Sequence, residues 1–533
     1  MGPMPLSLRL KSLIANSGDA VTIPTTGVTC IVGANNAGKS QILREIRALI
    51  CDQDPALRCL TAIEAERPTG TLEEAATFLD RTAARHENPS SGTIHYGTDG
   101  LSPQTVQEFH QWLSMRNYDE KSGYVSVVGP YFIRSTSAGS LRDYATGSIS
   151  TGDPVNSSPM SRLFRNGAIE EELSSLAKLT FGLPVVLDRL SPQMILRVGE
   201  TDVPVPPLNR PTPEYAAAVA ALPALAGEGD GLKSFMGFAL HALTDAELLM
   251  LVDEPEAFLH PAQARALGRW LGKKAKELGA QIVLATHDRD LILGLVEGDA
   301  PVNIVRVHRN GTTTHLSQLQ PKQVTEVWQN PVLRYSNVLQ GLFHAQVIIC
   351  ESDGDCRFFS AALDVLASDR GNPAAADNTL FVPSGGKDRI ASIGGSLAAL
   401  KVHTKAIADF DVLRVRAATV AIVEALGGDW TADMQKDYIT VSSAVNKLQP
   451  DHAASWKFVK SRGVDALDAG EPYQAGLRLV SALSERGLLV LPKGELEDFD
   501  KTLPGHGASW VSDALAKGVH RDENVSKFVA QLL

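Results

Sequence analysis

The chain has 533 residues, 44% of them hydrophobic and 21% charged, with a formal net charge of −11. It is too long for one ordinary core and too apolar for a disordered chain, so two or three globular domains are expected. The acidic balance excludes a global field that gathers nucleic acid, while leaving room for a local basic groove.

The first twenty residues alternate apolar and polar side chains and lack the continuous apolar core of a signal peptide. No window of about 18 uncharged apolar residues occurs, so no membrane span is expected. LSLRLKSLI (6–14) and GVTCIVGANN (27–36) have the pattern of strands, and the second runs through a glycine turn into a helix, KSQILREIRALI. Residues from about 50 to 160 form an expected insertion, first helical and irregular, then a Ser/Thr/Gly-rich stretch (135–160) with the composition of a mobile loop. MSRLFRNGAIEEELSSLAKLTFG has the spacing of one amphipathic helix, and PVVLDRL and QMILRVGE that of two strands. GEGDGLKSFMGFALHAL is a glycine turn entering an apolar helix. AELLMLVDEPEAF and AQIVLATHDRDLI carry the continuous apolar runs of strands buried on both faces of a parallel sheet, with the helix PAQARALGRWLGKKAKEL between them.

A strand pair (NIVRVHRN, TTTHLSQL) and a helical connector lead to a second alternation of strands and helices: AQVIICES, CRFFSAALDVLA, NTLFVPSGG and HTKAIADFD. Both halves are therefore expected to be α/β, with domains at 1–335 and 336–533 and a helical insertion in the second at about 415–485. The five cysteines (Cys30, Cys51, Cys59, Cys350, Cys356) fit neither a disulfide framework nor a zinc spacing, and a reducing cytoplasm is the expected location.

Two constellations carry chemistry. In the first, Gly33-x4-Gly38-Lys39-Ser40, with Asn36 inside the loop, fits a phosphate cradle. Backbone amides close around phosphate oxygens, Lys39 reaches the β and γ phosphates, Ser40 holds Mg²⁺, and the following helix adds its dipole. LLMLVDEPE places Asp253 toward the Mg²⁺ shell and Glu254 beside it to orient water; a metal relieves the repulsion between the adjacent acids. His287 follows the next strand as a switch near the γ phosphate, and Ser234 is expected near a helix N-terminus, contacting a nucleotide held by another subunit. Residues 1 to about 315 resemble an ABC-type ATPase of the branch that includes SMC-like proteins, with GDGLKS as a degenerate signature. The resemblance implies ATP sandwiched between two heads, and so a homodimer or higher oligomer.

In the second, Glu351 ends one strand, Asp355 follows four residues later, and Asp409 and Asp411 end another strand on one side of the chain. Acids gathered at the carboxyl ends of parallel strands suit Mg²⁺ or Mn²⁺, and such ions serve phosphodiester cleavage. Solvated caps and loop acids are the plain alternative. This arrangement resembles the Toprim fold, and the whole chain resembles the OLD family (overcoming lysogenization defect), which includes Gabija-type antiphage nucleases. The resemblance implies an ATP-dependent nuclease acting on nucleic acid, DNA first, with a helicase-like partner admitted. LPKGELEDFD is similar to the family's closing motif, so Glu495 or Glu497 is expected to complete the metal shell and Lys493 to stabilise charge on the phosphate. Ser352 stands where the family commonly has glycine. SGGK (384–387) is either a plain turn or a phosphate contact through Lys387, and Arg134, Arg142 and Arg334 are either solvated or phosphate contacts. An ATP-driven clamp without cleavage, and a nuclease acting on RNA such as tRNA, are the competing readings.

Overall fold

The computed structural model describes residues 6–52, 55–66, 68–98, 101–114, 128–207, 210–298, 301–329, 337–399, 401–449 and 451–533. They form two compact units, Met1–Thr325 and Glu326–Leu533. Both are mixed α/β. Among the described residues no helix is long and apolar enough to cross a membrane.

The first unit is built on GVTCIV and QIVLA, buried at every position, and LMLVD, buried up to its final aspartate. Such runs need cover on both faces, which a parallel sheet between helices supplies. The six-stranded sheet runs Thr313–Leu319, Val302–Asn310, Gly27–Val32, Gln281–Ala285, Leu249–Asp253, Ile133–Ser137. All neighbours are parallel except the first pair. Asp253 lies opposite Ala285, which lies opposite Ile31, so the residues that follow these three strands leave the sheet along one edge. A smaller antiparallel sheet joins Ala20–Thr22, Arg9–Ala15 and Leu60–Glu66. Its apolar face shares a core with Ile42 and Ile46 and with the stacked rings of Phe78 and Phe132, 4.8 Å apart.

Two expectations are corrected. Residues 135–160 are no loop throughout: Ile133–Ser137 is the last parallel strand of the main sheet, and helices follow at Ala138–Tyr144 and Pro159–Arg165. The strand sits at the sheet's edge, where IRSTS can alternate buried and open positions without an apolar run. The expected single helix from Met160 is two helices, Pro159–Arg165 and Gly167–Phe181. Asn166 separates them because its extended backbone ends the first while its side chain accepts from the amide of Ala168.

The second unit holds a four-stranded, fully parallel sheet in the order Thr379–Pro383, Gln346–Cys350, His403–Ala408, Leu488–Val490. The helix Asp353–Asp369 packs Phe358 and Phe359 into a core with Trp510 and Phe528. Helices Arg416–Ala425, Ala432–Val445, His452–Lys460 and Glu471–Glu485 lie in sequence between the third and fourth strands. All five cysteines are free and buried.

Candidate functional site

Each unit gathers acids at the carboxyl ends of its central strands. In the first, the fully buried strand Gly27–Val32 delivers Gly33, whose φ is 152°; a Cβ there would fall 2.4 Å from the Val307 carbonyl oxygen. Asn36 and Gly38 also have positive φ, so the loop curls back before the helix Lys39–Cys51. Lys39 is buried. Its Nζ donates to the carbonyls of Gly33 (3.0 Å) and Ala34 (3.1 Å), inside its own loop. Burial lowers its pKa, opposed by the charges of Glu254, Asp253 and Glu256.

Ser40 Oγ donates to Asp253 Oδ1 at 2.9 Å across 213 residues of sequence, which joins the cradle to the DEPE strand. Burial raises the Asp253 pKa, and Glu254 adds to the effect. Glu254 has φ 51°, and its amide donates to the Ala285 carbonyl at 2.9 Å, so the chain turns there toward the neighbouring strand. His287 Nδ1 lies 3.3 Å from Glu254 and 3.4 Å from Glu256. Glu256 is 5% exposed: its Oε1 accepts from Thr286 Oγ1 (2.7 Å) and the His287 amide (3.1 Å), and its Oε2 has no partner. Burial raises its pKa. Gly33, Gly38, Lys39, Ser40, Asp253, Glu254 and His287 thus converge on one edge of the sheet, with Asn36 in the same loop.

Ser234 does not fit its expected role. It lies one turn inside the helix Asp230–Thr244, is fully buried, and its Oγ has no partner. A hydroxyl sealed in the core does not reach a ligand on another subunit; the helix opens with Gly229 and Asp230 instead. Glu256 is the residue that sequence reasoning passed over. Its signal was the third acid of DEPE, which the fold buries against Thr286 and His287.

In the second unit, Glu351 leaves the buried strand Gln346–Cys350, and Asp409 and Asp411 follow His403–Ala408, the strand beside it. One ligand oxygen from each of the three lies within 4.8 Å of the others. Glu351 Oε1 accepts from the Asp409 amide at 3.0 Å. Burial, reinforced by the neighbouring Glu351 charge, pushes the Asp409 carboxyl up to about 8. Glu351 is raised by burial and by Asp411 despite that hydrogen bond, and Asp355 by burial and by Glu497. Asp411 Oδ1 is buried without a partner.

Asp355 Oδ2 accepts from the Ser352 amide (2.8 Å), and Ser352 Oγ accepts from the Asp355 amide (3.2 Å), a reciprocal cap on the helix Asp353–Asp369. The serine in place of glycine therefore fixes Asp355. Glu497, Glu495 and His506 form a second group with ligand atoms within 4.8 Å of one another, and Glu497 also accepts from the Gly507 amide. Lys460 spans the two groups, 3.2 Å from Asp409 and 3.6 Å from Glu495, and Lys387 sits 2.6 Å from Asp411.

Lys493 is exposed and pairs with none of these acids among the described residues; the cation that sits among them is Lys460. Lys460 ends a helix in a stretch with no readable motif. Its placement needs Gly494, where a Cβ would meet the Lys460 carbonyl oxygen at 2.2 Å. His506 likewise had no local signal. Arg134 is tied to Thr98 and to the buried Asp245, and Arg142 to Asp230; Arg334 lies outside the described residues.

Residues 222–294, which run from the helix Asp230–Thr244 through Asp253 to His287, match the family model described as "AAA domain, putative AbiEii toxin, Type IV TA system". The matched stretch carries a likeness to an AAA domain, and Asp253 within it meets the cradle through Ser40. Among solved structures the chain is similar to the SMC head domain from Thermotoga maritima, at 16% identity over 59% of this chain and 99% of that one, with a TM-score of 0.29. It is also similar to cbiO1 from Clostridium perfringens, part of the ABC transporter complex cbiONQ (17%, 62% and 95%, 0.30). A third is the Smc head domain of Pyrococcus furiosus bound to the C-terminal domain of ScpA (13%, 60% and 98%, 0.33). No curated protein matches the chain.

Proposed function

We propose that the protein is an ATP-hydrolysing, divalent-metal-dependent endonuclease that cleaves or nicks DNA. On the resemblance of its motifs to the OLD family, the second unit is of Toprim type and the role is antiphage defence. The ATPase heads act as a dimer. The observation that carries the nuclease reading is the convergence of Glu351, Asp409 and Asp411 within 4.8 Å at the ends of neighbouring parallel strands.

The donor set fits a hard cation. Three carboxylates share a half-buried site, one oxygen of Asp411 has no partner, and burial with the Glu351 charge holds Asp409 up to about 8 despite Lys460. An ion such as Mg²⁺ or Mn²⁺ bound by these oxygens supplies an activated water and neutralises charge on the scissile phosphate. The protein's own part is positioning. The Asp409 amide orients Glu351, Lys387 fixes Asp411, and Lys460 holds Asp409 and Glu495 toward each other. Glu497 and His506 form a second place where the chain is able to hold a cation beside the first.

In the first unit, Lys39, now bonded to the Gly33 and Ala34 carbonyls, would turn to the phosphates of ATP, and Ser40 and Asp253 would hold its Mg²⁺. Glu254 orients the hydrolytic water, and His287, between Glu254 and Glu256, reports the γ phosphate to the buried acid. Nucleotide state in one unit then gates cleavage in the other.

Supercoiled plasmid incubated with the full chain and Mn²⁺ tests this. Wild type is expected to nick, Glu351→Ala to lose nicking while keeping ATP turnover, and Lys39→Ala to lose ATP binding more than tenfold. A wild type that hydrolyses ATP and leaves every nucleic acid intact returns the chain to the clamp reading; tRNA cut in place of plasmid makes RNA the substrate.

A further inference from the structure

An open depression of about 640 Å³ lies beside Glu351, lined by the start of the helix Asp353–Asp369 and the turn Pro383–Gly386, and not by Asp409 or Asp411. Its volume falls within the ~300–1,000 Å³ of sites that hold small ligands, and its open shape suits a strand lying along the surface. The turn is fastened to the peptide that carries Glu351. The Ser384 amide and hydroxyl donate to the Cys350 carbonyl at 2.8 and 2.9 Å, and the Gly386 amide donates to the Glu351 carbonyl at 3.0 Å. Gly385 is exposed, with φ 72°, and its amide has no hydrogen-bond partner among the described residues.

Arg389 lines the same cavity. Its Nη1 lies 3.6 Å from where a Cβ on Gly385 would stand, so the guanidinium leans over the bare glycine. Of the other charges nearby, Lys387 pairs with Asp411 at 2.6 Å and Asp353 with Arg357 at 2.7 Å, while Glu351 itself lines the cavity. Arg389 has neither an ion pair nor a hydrogen bond from its side chain among the described residues. A planar cation with an unused amide beside it is the donor set for phosphate oxygens.

We infer that Arg389 and the Gly385 amide seat the phosphodiester next to the scissile one, so that a DNA strand crossing Glu351 continues into this cavity. The inference rests on the nuclease reading and adds to it a subsite for the backbone of the flanking nucleotide. The contact is to phosphate and carries no sequence preference. Arg389 binds substrate and takes no part in bond breaking.

The test uses the full chain. Binding of a fluorescent single-stranded DNA oligonucleotide and its RNA counterpart is followed by anisotropy in Ca²⁺ from 50 to 300 mM salt, and plasmid nicking in Mn²⁺. Arg389→Ala is expected to weaken DNA binding about five- to tenfold, to lower the slope of log Kd against log salt by roughly 0.7, and to raise KM while kcat stays within twofold. Arg389→Lys is expected to restore most of the slope. Arg370→Ala removes an equal charge at the far end of the 17-residue helix, roughly 25 Å away, and is expected to change neither. If wild type binds and nicks while Arg389→Ala keeps its Kd and slope, the subsite is refuted and the nuclease stands. A wild type that binds only the RNA overturns the DNA strand, and one that neither binds nor cuts any nucleic acid overturns the nuclease reading, and the subsite with it.

Discussion

Asp409 is where sequence, burial and charge meet most sharply. The folded protein holds its proton up to about pH 8, while the unfolded chain gives it up near pH 4. The folded state thus binds more protons between those values, and stability conferred at low pH is lost progressively as pH rises from about 4 to about 8. Asp409→Asn removes this penalty. At pH 8 without metal it is expected to stabilise the second unit by about 1–2 kcal/mol, a shift of roughly 2–8 °C in Tm, and to abolish the stabilisation that Mn²⁺ gives wild type. Thermal melts at pH 5 and pH 8, with and without Mn²⁺, check both halves. Glu256 offers a second single-residue test. Glu256→Ala strands the Thr286 hydroxyl and the His287 amide and is expected to cost about 1–3 kcal/mol, whereas Glu256→Gln keeps an acceptor and costs less. Urea melts of the two variants should separate accordingly. Asp253, Glu254, Glu351, Asp409 and Asp411 were legible because they end or follow apolar strands in the sequence itself, whereas Glu256 lies three residues past its strand. Lys460 and His506 were not, since they reach the cluster from elements whose local pattern says nothing about where they dock.

At the scale of elements, the helices Pro261–Leu278 and Arg289–Glu297 that follow DEPE and THD are locked by glycines on both sides. A Cβ on Gly268 would stand 2.3 Å from the Leu291 carbonyl oxygen, and one on Gly294 would stand 2.1 Å from that of Arg265. The seam brings backbone against backbone, and so holds the segments bearing Glu256 and His287 at a fixed spacing. Gly268→Ala is expected to destabilise the first unit by about 1–3 kcal/mol and to slow ATP turnover, which urea melts and a phosphate-release assay read separately. The buried parallel strands were legible from their apolar runs. Ile133–Ser137 was hidden because an edge strand needs no such run, and the break at Asn166 because amphipathic spacing continues across it.

For the whole molecule, two compact units with separate cores predict two unfolding transitions. In calorimetry a non-hydrolysable ATP analogue with Mg²⁺ is expected to raise one transition, and Mn²⁺ without nucleotide the other. Glu351→Ala should remove only the second shift and Lys39→Ala only the first. A single transition moved by both ligands would mean the units unfold as one, and the two chemistries could not then be assigned to separate bodies by this route. The alternation of strand and helix made the bipartite plan readable; how the stretch 416–485 would fold was not, because those helices take their order from packing.

The reciprocal cap between Ser352 and Asp355 has a dynamic consequence. One oxygen of Asp355 fastens the first turn of the Asp353–Asp369 helix while the same side chain feels the charge of Glu497. Any cation that draws this carboxylate away loosens the turn that anchors Phe358 and Phe359 in the core. Amide hydrogen exchange over residues 352–356 should therefore quicken with cation loading, making that segment an internal gauge of whether the site is filled.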